Sequence, residues 1–314
     1  MTDDTVYDVA SVTKVIPTSL LMLTLIDQGK INLEDKVVEY IPAFGNDSDK
    51  KEVTIKHLLT YTLNLIIPSM NSMKDLSPDE IVKTVVEAPL RNKPGTSFLY
   101  TNSTAMLMGL IIREVTGLPL EEFAQETLFD PLEMKSTTFS PEDSQKEQIP
   151  PTEVDDWRGG IVQGVVHDEG TYVLRAKHHL GVAGLFSNVP DILTVLEMIM
   201  NHGEYKSRKF FSEEILEQMS INQIGKEVGR TGLGWQMKHP LWTYIGESPS
   251  EKTIGQTGYV GCFILYDKEN DVVITMLSNR TFPKRPENGK AINAVRSDLI
   301  DIVYEGFLDK NSVR

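Results

Sequence analysis

Ala10-Ser11-Val12-Thr13-Lys14, running at once into the apolar stretch 15–26, decides how this chain of 314 residues is read. Thr5-Val6-Tyr7 reads as a short strand, Asp8-Val9-Ala10 leads into a turn, and Ala10-Ser11 opens an expected amphipathic helix that ends at Gly29. A serine and a lysine three positions apart share one face of such a helix. The hydroxyl would sit at the positive N-terminal end with an ammonium one turn above it, which lowers the cost of an alkoxide and makes Ser11 a candidate nucleophile. A plain N-cap serine is the competing reading. Pro17 lacks the N–H that would bond the Thr13 carbonyl, so a kink is expected close to Lys14. A second Ser-x-x-Lys, Ser48-Asp49-Lys50-Lys51, falls in the polar stretch 45–52 and reads as a solvated loop with no buried helix behind it.

Two later groups add to Ser11 and Lys14. Tyr100-Thr101-Asn102 follows the turn signal Lys93-Pro94-Gly95 and precedes an apolar helix expected over residues 105–115. Gln256-Thr257-Gly258 stands at the head of a strand expected over 260–266, with a turn at 267–270 and a returning strand at 271–277, forming a hairpin. Other helices are expected over 78–87, 120–127, 191–201 and 212–218. A C-terminal helix over 295–308 would pack Val295, Leu299, Ile302, Val303 and Phe307 on the sheet. The polar segment 142–158, with Pro150-Pro151, reads as a surface loop.

In this order, Ser-x-x-Lys, Tyr-x-Asn and x-Thr-Gly resemble the serine β-lactamase and penicillin-binding-protein superfamily, in its class C-like branch with its esterases and D-aminopeptidases. The resemblance covers nearly the whole chain. It continues through Leu25-Ile26-Asp27-Gln28-Gly29, Tyr40-Ile41-Pro42, Thr54-Ile55-Lys56-His57-Leu58-Leu59-Thr60 and Pro94-Gly95-Thr96. His167-Asp168-Glu169, the run from Gly181 to Ser187, and Leu277-Ser278-Asn279-Arg280 extend it further.

The resemblance implies an α/β (α+β) fold, an antiparallel sheet flanked by helices with a mostly helical subdomain inserted. Residues 1–58 and 225–314 would form the sheet part and 59–224 the helical part of one domain spanning 1–314. It implies a serine hydrolase in which Ser11 forms an acyl-enzyme, Lys14 and Tyr100 share proton removal, and Tyr100 passes a proton to the leaving group. Tyr100 would need positive charge nearby, from Lys14, to act as a base near neutrality. Asn102 would bond Lys14 or the substrate amide, and the N–H groups of Ser11 and Tyr259 would form the oxyanion hole beside Thr257 and Gly258.

The departures are specific. The family usually has lysine or histidine where this chain has Gln256, which turns the expectation from carboxylate-bearing substrates toward neutral esters or amides. A D-Ala-D-Ala carboxypeptidase or β-lactamase is the alternative within the class. Tyr61-Thr62-Leu63-Asn64 stands where relatives commonly show His-Thr-Ser-Gly. Relatives also carry a helix and two strands ahead of the short strand before the nucleophile, and here ten residues precede Ser11. Without those strands the hairpin would show an unpaired edge. A start further upstream, another element covering the edge, and an N-terminally truncated, non-catalytic binding homologue are the three readings this leaves open.

A formal net charge of −14 argues against nucleic-acid binding and against a polybasic membrane patch. The single cysteine, Cys262, falls in the expected strand among apolar neighbours and reads as a buried core residue. The run 15–26 is too short, and broken by Pro17 and Thr24, to read as a membrane span, and no leader-peptide pattern is visible. His167-Asp168-Glu169 with His178-His179 match no zinc spacing, so neither a metal nor a cofactor is expected. His167-Asp168 reads instead as a loop bordering the cleft, and Trp157, Trp235 and Trp242 either help to line that cleft or pack in the core. The expected partner is a small ester, amide or peptide substrate.

Overall fold

The computed structural model describes residues 1–46, 48–239, 242 and 244–311; the side chains of 307–311, and with them the expected packing of Phe307, lie outside the described set. The strands are β1 (Tyr7–Asp8), β2 (Glu153–Asp155), β3 (Gly160–Val162), β4 (Phe186–Ser187), β5 (Glu204–Tyr205), β6 (Arg208–Lys209), β7 (Gln236–Met237), β8 (Thr253–Thr257), β9 (Gly261–Asp267) and β10 (Val272–Asn279). The helices are α1 (Leu20–Asp27), α2 (Val37–Tyr40), α3 (Ile55–Leu59), α4 (Pro78–Glu87), α5 (Asn102–Thr116), α6 (Leu120–Ala124), α7 (Asp143–Lys146), α8 (Glu169–Leu174), α9 (Val189–Met200), α10 (Glu213–Met219) and α11 (Lys290–Asn311).

An antiparallel sheet of order β10-β9-β8-β7 carries the hairpin expected after Gly258. β9 is buried along its whole length because both faces are covered. With a strand's period of two, Cys262, Ile264 and Tyr266 enter the main core, while Phe263 and Leu265 meet Ile274, Ile300 and Tyr304 on the other face. β10 is the outermost strand of this sheet among the described residues, and α9 packs against it. A two-stranded ladder, β1 with β4, ties the segment before Ser11 to the segment after Gly184.

The first helix differs from the uninterrupted, amphipathic one expected. A tight 3-10 turn, Ala10–Lys14, is followed by a break at Ile16, whose φ of −116° and ψ of 109° are extended, before α1 begins at Leu20. The Thr13 carbonyl, which Pro17 leaves without a backbone donor, accepts from Thr18 Oγ1 at 3.0 Å, and the Lys14 carbonyl accepts from Ser19 Oγ at 2.9 Å. α1 is buried from Leu20 to Leu25, a core helix rather than an amphipathic one.

Three other expectations are corrected. Lys50 is fully buried, donating to the Val86 and Ala88 carbonyls at the end of α4 and lying 4.2 Å over the Phe44 ring, so the otherwise exposed 3-10 turn Asp49–Glu52 is anchored to the core by one side chain. Segment 142–158 folds into α7, β2 and a 3-10 turn, and its Glu153 and Arg158 are half-buried in an ionic network. On α11 the buried residues are Arg296, Ile300 and Tyr304; Leu299 is half-buried and packs as expected, while Val295, Ile302 and Val303 are exposed. Two polar anchors set that phase. The Arg296 guanidinium donates to the Gly258, Gly261 and Cys262 carbonyls at the head of β9, and Tyr304 Oη donates to Asp267 at its far end, 2.6 Å away.

The phase of α11 is directly testable. Ile300→Ala should cost about 2–5 kcal/mol in urea denaturation, as expected for a buried large-to-small change. Val303→Ala should stay within about 0.5 kcal/mol of the parent, as surface changes do.

Candidate active site

Ser11 sits in a turn whose geometry is imposed from outside. Ala10 has a φ of +47°, a left-handed conformation that non-glycine residues adopt only when their surroundings hold them there. Asp8, buried on β1, does much of the holding: its Oδ1 accepts from the Ala10 N–H and its Oδ2 from the His167 N–H, both at 2.7 Å. Burial raises the Asp8 carboxyl to about 6, against the pull of those two donors. Thr13 Oγ1 donates to the Ala10 carbonyl at 2.6 Å, and the Val9 N–H donates to the Leu185 carbonyl. From the sheet side, Gly258 packs so closely that an added Cβ would lie 2.5 Å from the Val9 carbonyl oxygen. The turn before β9, with Tyr259, is thereby set directly against the turn that carries Ser11.

Lys14 Nζ lies 3.0 Å from Ser11 Oγ and 2.8 Å from the Val182 carbonyl. The lysine is fully buried, and among the described residues no carboxylate is within ion-pair distance of it. Burial lowers its pKa to about 7; the charge of Asp168 pulls the other way and is the smaller effect. Tyr100 arrives from the loop before α5, and its ring passes 5.5 Å from Lys14 Nζ. Its hydroxyl is hydrogen-bonded to Ser11 and accepts from Gln256 Nε2 at 2.9 Å. Desolvation drives that phenol up to about 12, overcoming the two hydrogen bonds. The expected depression of Tyr100 by Lys14 is therefore absent: the lysine is lowered and the tyrosine raised.

Tyr61, which departs from the family pattern, is fully buried with its ring 5.3 Å from that of Tyr100 and forms its backing. The Leu99 N–H donates to the Tyr61 carbonyl and Asn64 Nδ2 to the Ser97 carbonyl, which fixes the loop that delivers Tyr100.

These groups open into a cavity of about 340 Å³ whose lining includes Ser11, Lys14, Asn102, Asp168, Tyr259 and Arg285. One wall is an ionic network. Arg285 bonds Glu153 at 2.8 Å and Glu169 at 2.5 Å, while Arg158 bonds Asp155 and the Val166 and His167 carbonyls. His167, in the same wall, is pushed down to about 3 by burial and the neighbouring guanidiniums, so it is neutral. Its ring stacks on Tyr259 at 5.7 Å.

The profile of the beta-lactamase family matches residues 1–297. The chain belongs to the beta-lactamase family. It is a serine hydrolase of that family. A relative from Escherichia coli (strain K12), named as a D-alanyl-D-alanine carboxypeptidase, is 28% identical over 334 residues, covering 98% of this chain and 76% of its own. An octameric penicillin-binding protein homologue from Pyrococcus abyssi is 25% identical with a TM-score of 0.68; the match covers 88% of this chain but only 63% of that one. EstCE1, a hydrolase with promiscuous acyltransferase activity, shares the fold at a TM-score of 0.74 and 19% identity, over 97% of this chain and 86% of its own.

In this beta-lactamase-family chain the structure brings Ser11, Lys14, Tyr100 and Gln256 into one hydrogen-bonded cluster, with Asn102 and Tyr259 on the cavity wall. The Thr257 carbonyl accepts from Gln256 Nε2, and Gly258 makes the close approach to Val9. Lys14 donates to Ser11 and Val182, and among the described residues no hydrogen bond joins it to Asn102, which lines the same cavity. None of the three tryptophans lines the cavity: Trp235 is buried in the core, Trp157 packs on Tyr172 and Trp242 on Tyr244. Asp8 and Arg285 were not singled out in the sequence. An aspartate three residues before a candidate nucleophile was a usable signal; Arg285, brought in by the loop after β10, had none.

Gly258→Ala should cost about 1–3 kcal/mol in urea denaturation, because the atom it would meet is backbone and cannot swing away. The control is Gly306→Ala in α11, where an added Cβ meets nothing within 4 Å. That change should leave stability unchanged or raise it by up to about 1 kcal/mol.

Proposed function

We propose that this chain cleaves an ester or amide that carries no carboxylate, through an acyl-Ser11 intermediate. The observation that carries the reading is the 3.0 Å contact between Ser11 Oγ and a buried Lys14 whose pKa has fallen to about 7, so that a large fraction of it is a free amine at neutral pH. The Lys14 amine takes the Ser11 proton as Oγ bonds to the substrate carbonyl carbon. The carbonyl oxygen gains the electron pair and is held by the N–H groups of Ser11 and Tyr259. When the carbon–oxygen or carbon–nitrogen bond breaks, Tyr100, still protonated because its pKa is about 12, gives its proton to the departing atom. The proton that Lys14 took restores Tyr100. Water then attacks acyl-Ser11 by the same steps in reverse order. Asn102, which lines the same cavity, would bond the substrate amide.

A carboxypeptidase acting on carboxylate-ended peptides is the second reading. It is favoured by the names of the Escherichia coli relative and of a Salmonella agona relative that is 28% identical over 93% of this chain. Gln256 weighs against it. The residue is buried and neutral, and its Nε2 is committed to Tyr100 and Thr257.

A fluorophosphonate probe read by intact mass should add once to the parent and not to Ser11→Ala; an unlabelled, folded parent would sink the acyl-Ser11 reading. With a neutral ester, kcat/KM should fall about tenfold per pH unit below pH 7, as Lys14 becomes protonated, and level off above it. A profile flat from pH 5 to 8 would remove Lys14 from the role of base.

A further inference from the structure

We propose that Asp168 makes the cleft select substrates carrying a protonated amine beside the scissile ester or amide. This rests on the acyl-Ser11 reading and names the substrate class of that same site. Asp168 shares the cavity wall with Ser11, Lys14, Asn102 and Tyr259. Its Oδ1 accepts from the Thr171 N–H at 2.8 Å as the cap of α8, and among the described residues no cation forms an ion pair with it. The carboxylate therefore keeps an oxygen for a ligand. Its charge acts on both Lys14 and Tyr100.

The rest of the cavity lining supplies no unpaired guanidinium; Arg280, outside that lining and 4.9 Å from the Tyr259 ring, donates to the Tyr259 and Asn288 carbonyls. Arg285 is the cavity's other cation besides Lys14, and it is bonded to both Glu153 and Glu169. Arg158, behind it, is held by Asp155. Two guanidiniums thus face three carboxylates before Asp168 is counted, and His167 is neutral. On the strand side Gln256 brings a neutral amide. A substrate carboxylate entering here would meet like charge in a partly desolvated site and no unpaired guanidinium in the lining, whereas an ammonium would find an unpaired carboxylate. An amine next to the carbonyl is within the reach a single cavity of about 340 Å³ allows.

Alanine 4-nitroanilide and its N-acetyl and N-succinyl derivatives present a cationic, a neutral and an anionic group at the same place. The parent should rank them in that order by kcat/KM. Asp168→Asn keeps a good helix-capping side chain. It should lower the amine-to-acetyl ratio of kcat/KM about tenfold or more, chiefly through KM for the amine, as loss of a close charge pair does. Equal or reversed ranking by the parent, or no turnover of any of the three, would overturn the proposal. So would an equal loss on all three in the variant, which would leave Asp168 a helix cap only. Fluorophosphonate labelling of the same preparations separates the two levels: a parent that labels at Ser11 but ranks the substrates wrongly loses this inference alone, and one that does not label loses the acyl-enzyme reading itself.

Discussion

An ammonium taken out of water with no carboxylate against it is the constraint from which the rest of this molecule follows. Lys14 is fully buried, and its partners are a hydroxyl and a carbonyl rather than an anion. The interior cannot support the charge cheaply, so the amine is driven toward its neutral form. That turns a residue normally protonated at pH 7 into one able to accept a proton. The same burial has the opposite consequence for Tyr100, whose neutral form keeps its proton. One physical cause, desolvation, thus separates two groups in a single cluster into an acceptor and a donor.

Such a site needs a frame that does not relax, and the frame is assembled from distant parts of the chain. The left-handed Ala10 is pinned by Asp8, and the other oxygen of Asp8 holds the His167 backbone, so the nucleophile turn and the cavity's acidic wall share one carboxylate. Gly258 lets the sheet close on Val9. Arg296, from the last helix, gathers the Gly258, Gly261 and Cys262 carbonyls and fixes the turn that carries Tyr259. An arginine at the C-terminal end of the chain therefore helps to set the position of a backbone N–H beside Ser11.

Local signals in the sequence accounted for the elements that are locally determined. The helix over 78–87 has the bounds expected; Ser77 and Glu80 form a capping box at its start and Pro78 opens its first turn. The β9–β10 hairpin followed from its apolar runs and polar turn. Ser11, Lys14, Tyr100 and Gln256 were marked by their residue types and order, and they meet in one cluster. What misled was buried polarity. Lys50, Arg158 and Arg296 look like surface residues by type, yet Lys50 and Arg296 are buried and Arg158 half-buried, each gathering backbone carbonyls or carboxylates. Hydrophobic periodicity cannot register a guanidinium that points inward, so the phase of α11 and the nature of 142–158 were misjudged for the same reason.

The unusual glutamine on β8 gains its sense from this electrostatic setting. A cation at position 256 would lie 2.9 Å from the Tyr100 hydroxyl, close to an already lowered Lys14, and would favour the phenolate while pushing the lysine further down. Both titrations would shift together. Glutamine donates the same hydrogen bond without that charge, so Tyr100 keeps its proton and Lys14 keeps a pKa near 7. The uncharged residue also leaves the acidic wall of Asp168, Glu153 and Glu169 without a counterweight across the cleft. Gln256 and Asp168 therefore act in one direction: the first withholds the positive charge that would attract a carboxylate, and the second supplies the negative charge that repels it.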